Sequence, residues 1–543
     1  MQFSNNDLNF LPKSRMSLFL FCLSLSLILG LIIRIPYFYI YDFALNDGAL
    51  FVEMAEAIRA NGYILPEIVV YNGTEIPFAY PPLSFYLVAF LIDLFKFNIL
   101  DIVRYMPLVF NILSICAFVL LASRLIKDKV IFLYTCLFFP LIPRSYEWLI
   151  MGGGVTRSVG FFFALIAAYQ ATRIGVKHDV RAFVYCSLFL SMAALSHMEW
   201  GITGVVTVSL IILSKQFSRR RFVLVIALGA VVLIMTSPWW ITLLIRYGLD
   251  PFLAASKTSE WEPSKFQNIL SILNIFNDEL GGIPLSVLAI IGWLLSVVRK
   301  DWFLPVWLVA IFLTTPRHGP TAAAMPLAIL ASVGLAQFIM PLLIQAAVST
   351  KNTFNIVQVF LSKLNRNNTF YQRLLPNYVI GSCIIAVMYI LLMTKIHYSK
   401  YTPLVALTET ERSAMVWLKN NTPSESEFVV LSGSFSWQDD RVAEWFPVLA
   451  DRKSLTTAQG LEWIRGNVFR SKVERIEELK RNQASSNNEL GSYIESHYDS
   501  SRYVAVFIPH INTSYGNFVE SGYRIVYEKD SVLVFERIGL GNI

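Results

Sequence analysis

The chain has 543 residues, of which 55% are hydrophobic and only 15% are charged. Soluble proteins carry about 25% charged residues, so this composition excludes a water-soluble protein and indicates a polytopic α-helical membrane protein. The formal net charge of +7 does not indicate a nucleic-acid partner, because the basic residues cluster in short loops between apolar segments.

The apolar segments predict about eleven transmembrane helices. With the N-terminus in the cytoplasm, five basic loops all fall on the inner side of the membrane, as the positive-inside rule requires. These loops are 124–129, 173–181, 215–221, 299–300 and 351–373. The predicted spans lie near 17–35, 105–123, 130–144, 157–172, 182–197, 200–214, 222–237, 283–298, 302–315, 321–345 and 376–396.

One further segment, 83–100, is apolar enough to suggest a span, but it contains Asp93 and Lys96. If this segment crossed the membrane, every later loop would change sides and the basic cluster 219–221 would face outward. We therefore predict a helix that lies on the outer face of the membrane or dips into it.

The last part of the chain is polar and predicts a small soluble α/β domain. Strand-like runs cover 428–431, 503–507 and 532–535, and helical patterns begin at Glu409 and Val468. After an odd number of spans this domain lies outside the cytoplasm. The predicted division is a transmembrane domain at 1–398, with its first outer loop at 36–104, and an extracytoplasmic domain at 399–543 of a plasma-membrane protein.

The first outer loop carries a carboxylate, Asp47, directly before a helical pattern, and it ends at Tyr80-Pro-Pro. A carboxylate on a loop after the first span indicates chemistry at a membrane face, with Asp47 as a proton acceptor. The structural alternative is that Asp47 only caps the helix that follows it.

Other polar residues gather on the same predicted face, and ionisable groups at membrane level are costly enough to indicate a site. A carboxylate would deprotonate an acceptor while cations hold a phosphate leaving group. Simpler roles stay open, namely ion pairing for Glu147, packing for His197, lipid-headgroup contact for Arg317 and an interfacial belt for Trp240. The candidates besides Asp47 are Asp42, Tyr80, Arg144, Glu147, Arg157, His197, Glu199, Trp240, Arg317 and His318.

Three consecutive glycines at 152–154 do not form a dinucleotide-binding fingerprint, because they follow no strand and open a membrane helix. Glycines there either allow two backbones to approach closely or offer backbone amides to an anion.

The run from Asp47 to Tyr63, followed by Pro66 and by Tyr80-Pro-Pro-Leu-Ser-Phe-Tyr, resembles the first outer loop of GT-C glycosyltransferases. That superfamily includes protein O-mannosyltransferases, the aminoarabinose transferases that modify lipid A and, more distantly, the catalytic subunits of oligosaccharyltransferases. The family loop begins Asp-Glu and ends Lys-Pro-Pro-Leu. Here Gly48 stands in place of the Glu and Tyr80 in place of the Lys.

The resemblance implies a membrane glycosyltransferase of the cell envelope, inverting at the anomeric carbon. It would move a sugar from a polyprenyl-phosphate donor to a glycan, lipid or protein acceptor on the extracytoplasmic face. Asp47 would be the general base and Glu147 a second acid, or the two would share a divalent cation such as Mg²⁺ or Mn²⁺; whether a metal is used stays open. The rival functions are an inactive protein that binds lipid-linked glycans or scaffolds an envelope complex, and a lipid or solute transporter.

Overall fold

The fold is mostly helical, with a helical bundle up to residue 400 and a mixed α/β unit after it. A computed structural model describes residues 14–177, 179–214, 218–258, 280, 282–315, 318–348, 369–400, 404–434, 436–464, 467–484, 490–498, 501–507, 518, 522–530 and 532–538.

The bundle is helical over most of each predicted span, although the helix at the predicted span 130–144 ends at Leu141. Four helices or helical runs of the described chain are long and apolar enough to cross a membrane, namely Arg15–Ile40, Ile99–Leu125, Arg219–Tyr247 and Gly319–Ile344, and several shorter apolar helices accompany them. The total of eleven spans stays a prediction. The helices are α1 (Arg15–Ile40), α2 (Ala49–Ala60), α3 (Leu83–Phe95), α4 (Ile99–Leu125), α5 (Lys129–Leu141), α6 (Glu147–Ile150), α7 (Gly154–Lys177), α8 (Val180–Ser196), α9 (Met198–Ser214), α10 (Arg219–Tyr247), α11 (Asp250–Thr258), α12 (Gly282–Val298), α13 (Phe303–Thr314), α14 (Gly319–Gly334), α15 (Met340–Val348) and α16 (Thr369–Lys400).

The first outer loop is itself folded, with α2, a hairpin of β1 (Ile68–Tyr71) and β2 (Thr74–Pro77), and α3. Asn72 and Gly73 form the turn at positive φ, 53° and 67°, which matches the right-handed twist of the two strands. Helix α3 has 13 residues, as many as α5, which lies at a predicted span. Helix length therefore does not decide whether α3 crosses the membrane, and its place at the outer face stays a prediction.

The strands predicted after residue 400 are present in one mixed sheet with the order β4-β3-β5-β7-β6. Strands β4, β3 and β5 are parallel, whereas β5, β7 and β6 are antiparallel. Both predicted helices begin where the sequence places them, at Glu409 and Val468. The elements are α17 (Glu409–Asn421), β3 (Glu427–Ser432), α18 (Arg441–Leu449), β4 (Lys453–Ser454), α19 (Val468–Ala484), α20 (Leu490–His497), β5 (Tyr503–Phe507), β6 (Tyr523–Lys529) and β7 (Val532–Arg537).

The first outer loop and the sheet unit are in direct contact. Leu45 forms an antiparallel bridge with Ala406, and the Asn46 N–H donates to the Val405 carbonyl at 2.9 Å. At the hairpin tip, the Asn72 side chain donates to the Ser454 carbonyl at 2.8 Å and accepts from the Ser454 N–H at 2.7 Å. The two parts are therefore in contact on one side of the bundle, and the predicted topology, with its odd number of spans, is consistent with that contact.

This arrangement predicts which residues an impermeant thiol reagent reaches in intact cells. Cysteine introduced at Ser424, an exposed turn residue of the sheet unit, should react, because the unit contacts the first loop, which the basic loops predict to lie outside. Cysteine at Ser218, which caps α10 beside the basic cluster, should react only after the cells are permeabilised. The unmodified protein sets the background for its five native cysteines. The reverse labelling pattern would invert the proposed orientation.

Candidate active site

The Asp47 side chain contacts the start of α7 and does not cap α2. The N-cap of α2 is Gly48, at φ 130°, and no side chain caps that helix, so the capping alternative for Asp47 is wrong. One carboxylate oxygen of Asp47 accepts the Gly153 N–H at 2.8 Å, and the other pairs with the Arg157 guanidinium at 2.7 Å. Because Gly153 directly precedes α7, the carboxylate also lies at the positive end of that helix dipole.

The three glycines explain how Asp47 comes so close to the start of α7. A Cβ on Gly152 would lie 1.8 Å from the Asp47 carbonyl oxygen, and one on Gly153 would lie 2.4 Å from its carboxylate. The Gly152 N–H also donates to the Leu45 carbonyl at 2.8 Å. Both expectations for this run hold: the backbones approach closely, and an amide binds an anion, which is the Asp47 carboxylate.

A second carboxylate, Glu444 of α18, reaches the same loop from the sheet unit, and sequence reasoning missed it. Its carboxylate accepts the Gly48 N–H at 2.8 Å, and the side chain of the next residue, Trp445, donates to the Asn46 carbonyl at 2.8 Å. Glu444 is 6% exposed, and burial followed by the charge of Asp47 raises its pKa to about 8. No local pattern in α18 signals this role, because the contact exists only once two distant parts of the chain pack together.

Tyr80 contacts Thr156, the residue next to Arg157. Its hydroxyl is 3.4 Å from the Thr156 hydroxyl, and its ring packs edge-on against Trp463 with centroids 5.6 Å apart. Burial raises the pKa of Tyr80 to about 12, so it stays a neutral phenol at physiological pH. Tyr80 therefore contributes a hydroxyl to the site, not the positive charge that lysine carries in the related loops.

Two histidines extend the group next to Tyr80. The His197 ring lies 6.2 Å from the Tyr80 ring and 5.8 Å from the His318 ring, centroid to centroid. The Nδ1 atom of His318 is 3.7 Å from a carboxylate oxygen of Glu199, and both imidazoles are buried. The structure thus brings Tyr80, His197, Glu199 and His318 into one contiguous cluster, which joins Arg157 through the neighbouring Thr156.

Comparisons with solved structures identify the architecture. ArnT from Cupriavidus metallidurans bound to undecaprenyl phosphate superposes with a TM-score of 0.55 and 15% identity, covering 96% of this chain and 98% of that one. The oligosaccharyltransferase of Archaeoglobus fulgidus, in complex with Zn and sulfate, gives 0.53 and 13%, covering 96% and 74%. The chain has the GT-C fold. The resemblance predicted from the first outer loop is confirmed at this level.

The GT-C likeness extends to a mutant of the mycobacterial arabinofuranosyltransferase AftD, with a TM-score of 0.51 and 13% identity. That match covers 96% of this chain but 41% of AftD. No protein family model matches the sequence, and no curated protein matches it either. The likeness to these proteins is therefore one of fold.

Arg144 contacts the same indole as Arg157. The Arg144 guanidinium lies 5.2 Å from the centre of the Trp148 ring, and that of Arg157 lies 6.0 Å from the same ring. Glu147, the residue before Trp148, begins α6 and is fully buried. A shared site of Glu147 and Asp47 stays a prediction.

Asp42 and Trp240, two further candidates, have their contacts elsewhere. Asp42 is exposed and forms an ion pair with Arg412 of α17 at 2.5 Å, which ties the loop to the sheet unit. Trp240 lies on α10, where its indole donates to the Leu233 carbonyl at 3.1 Å. Arg317 lies outside the described residues.

The side chains around Asp47 are not arranged for a divalent cation. Among the residues that the structure describes, no group of three or more His, Cys, Asp or Glu side chains could hold a metal ion. Hard cations need several oxygen ligands, and both Asp47 oxygens already bind Gly153 and Arg157. A cation shared by Asp47 and Glu147 therefore stays a prediction, and the mechanism below takes no step through one.

Proposed function

We propose that this protein transfers a sugar from a polyprenyl-phosphate donor to an acceptor hydroxyl on the extracytoplasmic face of the membrane. The observation that carries the proposal is the Asp47–Arg157 pair, whose side chains are 18% and 20% exposed in a GT-C fold. The pair places a proton acceptor and a phosphate-binding cation side by side. The related ArnT structure contains bound undecaprenyl phosphate, which supports a lipid-phosphate donor here.

In the proposed reaction the acceptor oxygen attacks the anomeric carbon of the sugar. The hydroxyl proton passes to the Asp47 carboxylate while the bond from the anomeric carbon to the phosphate oxygen breaks, and polyprenyl phosphate leaves with the electron pair. Attack opposite the leaving group inverts the anomeric configuration. Arg157 stabilises the charge that develops on the phosphate, where a fixed cation has the greatest effect.

The pairing of Asp47 with Arg157 before substrate binds has a consequence for the order of events. A bound phosphate competes with Asp47 for the N–H donors of the Arg157 guanidinium. As Arg157 turns toward the phosphate, the Asp47 carboxylate becomes available for the acceptor proton. Binding of the donor would thus release the Asp47 carboxylate from Arg157 before the acceptor proton is transferred.

The proposal is tested with purified protein and a panel of radiolabelled polyprenyl-phosphate sugars, scoring label transfer or hydrolysis. Binding of undecaprenyl phosphate is measured separately. Transfer together with binding supports the proposal. Binding without transfer or hydrolysis would favour the inactive, glycan-binding alternative, and lipid movement in vesicles without either reaction would favour a transporter.

Replacing Arg157 with Lys should weaken binding of undecaprenyl phosphate by about tenfold, the loss expected for one charge-assisted hydrogen bond. Lysine keeps the positive charge, but its ammonium group lacks the planar pair of N–H donors that a guanidinium offers to a phosphate. Isothermal titration or a labelled-lipid competition assay measures the change. The matched control is Arg59→Lys, because Arg59 pairs with Glu56 and Asp93 in the same loop but away from Asp47. If the two substitutions weakened lipid binding equally, Arg157 would be excluded as a specific phosphate ligand.

A further inference from the structure

Helix α18 holds the peptide groups on both sides of Asp47. Glu444 accepts the Gly48 N–H at 2.8 Å, and Trp445 donates to the Asn46 carbonyl at 2.8 Å. Asn46 is 3% exposed and has φ 52°, a left-handed conformation uncommon outside glycine. Two adjacent side chains of the sheet unit therefore fix the backbone that aims the Asp47 carboxylate.

The helix is held at its N-terminus and at Glu444 by buried polar contacts. Asp440 caps α18 and pairs with Lys480 at 2.5 Å, and the two side chains are 4% and 8% exposed. The Tyr71 hydroxyl of the hairpin donates to the Glu444 carbonyl at 2.6 Å. Because these contacts are buried, α18 is a rigid support for the loop.

We propose that Glu444 is a positioning residue of the transferase site, so that the active site is complete only when the sheet unit is docked on the first outer loop. The inference rests on the proposed function and adds to it a residue from the second part of the chain. Glu444 acts through the Gly48 peptide and does not touch the reacting atoms.

The protonation state of Glu444 should also affect binding of the donor phosphate. Its raised pKa means that the side chain is neutral at pH 7 and becomes an anion as the pH rises through about 8. A new anion near Arg157 repels the phosphate of the donor. The charged and titratable groups facing Glu444 are Asp47, Arg157 and Tyr71, and Glu53 and Glu462 lie near the same Tyr71 hydroxyl.

The first test compares Glu444→Ala with Glu444→Gln at pH 7. Alanine removes the acceptor for the Gly48 N–H, and a displaced base of this kind can cost about 100-fold in rate. We expect Glu444→Ala to lower transfer at saturating donor by at least about tenfold while undecaprenyl phosphate binds within about twofold of wild type. Glutamine keeps an acceptor oxygen and should restore most of the rate. A rate of Glu444→Ala close to wild type, or no recovery with Gln in a folded protein, would overturn the positioning role.

The second test measures binding of undecaprenyl phosphate to the full-length protein at pH 7 and pH 9. Wild type should bind about fivefold more weakly at pH 9 than at pH 7, whereas binding by Glu444→Gln should change much less. At each pH the lipid phosphate has the same charge for both proteins, so a difference between them reports on Glu444. The control is Glu528→Gln, which removes one carboxylate from an exposed position of β6. Its binding should weaken at pH 9 as much as that of wild type. Wild-type binding that does not weaken at pH 9 would overturn the charge effect whatever the variant does. No binding by any protein at either pH would instead contradict the proposed function itself.

Discussion

Replacing Asp47 with Asn should lower sugar transfer by at least about 100-fold, because a positioned general base contributes a factor of about 10²–10⁴. Asparagine keeps an oxygen that can accept the Gly153 N–H, so the start of α7 stays in place. It cannot accept the acceptor proton, and it no longer neutralises Arg157. Binding of undecaprenyl phosphate should therefore persist, and kcat should fall much more than KM changes.

The measurement is initial transfer rate with a labelled polyprenyl-phosphate sugar, beside thermal unfolding of the same preparation. Asp93→Asn is the matched control, because Asp93 lies in the same outer loop and pairs with Arg59 and Tyr63 instead. We expect that control to transfer at nearly the wild-type rate. Near-normal transfer by Asp47→Asn would exclude Asp47 as the base, and a parallel loss of folding would make it a structural residue.

The parts of this protein that could be predicted from sequence are those set by neighbours along the chain. Apolar length and basic loops located the helices, and short β-rich runs located strands such as β3 and β5. Asp47 was found because it lies in a recognisable loop motif. These signals are local, since helix and strand periodicity depend on residues a few positions apart.

What the sequence could not predict depends on packing between distant segments. The capping role expected for Asp47 is wrong because Gly48 takes φ 130°, which places the start of α2 one residue later. The Asp47 carboxylate is then directed at α7. Glu444 illustrates the same limit, since only the docking of α18 on the loop brings its carboxylate to Gly48.

That docking also bears on the departure from the GT-C loop motif. Gly48 stands where the related loops have Glu, and it is the Gly48 N–H that Glu444 binds. A carboxyl group is thus present at the peptide next to Asp47 although the motif position has none. The motif alone suggests a weakened site, whereas the folded chain still places two acidic side chains around the same peptide.

A methyl group added at Gly152 should disrupt the site about as strongly as losing the base. The new Cβ would lie 1.8 Å from the Asp47 carbonyl oxygen, and the next nearest atoms are also backbone, so no side chain can move away to make room. The loop and the start of α7 must separate. Overpacking of this kind costs about 1–3 kcal/mol of stability, and a shift of about 1 Å in a reacting group can cost about 100-fold in rate.

We therefore expect Gly152→Ala to fold with a lowered melting temperature and to lose about 100-fold in transfer. Gly229→Ala is the control, because Gly229 lies within α10 with no atom within 4 Å of its would-be Cβ. Alanine there should leave transfer unchanged and favour the helix by up to about 1 kcal/mol. If Gly152→Ala kept wild-type transfer, the contact between Asp47 and the glycine turn would not control the geometry of the base. If it lost folding altogether, Gly153→Ala would provide the milder test, because its Cβ would meet the Asp47 carboxylate and the Arg157 side chain, which can move.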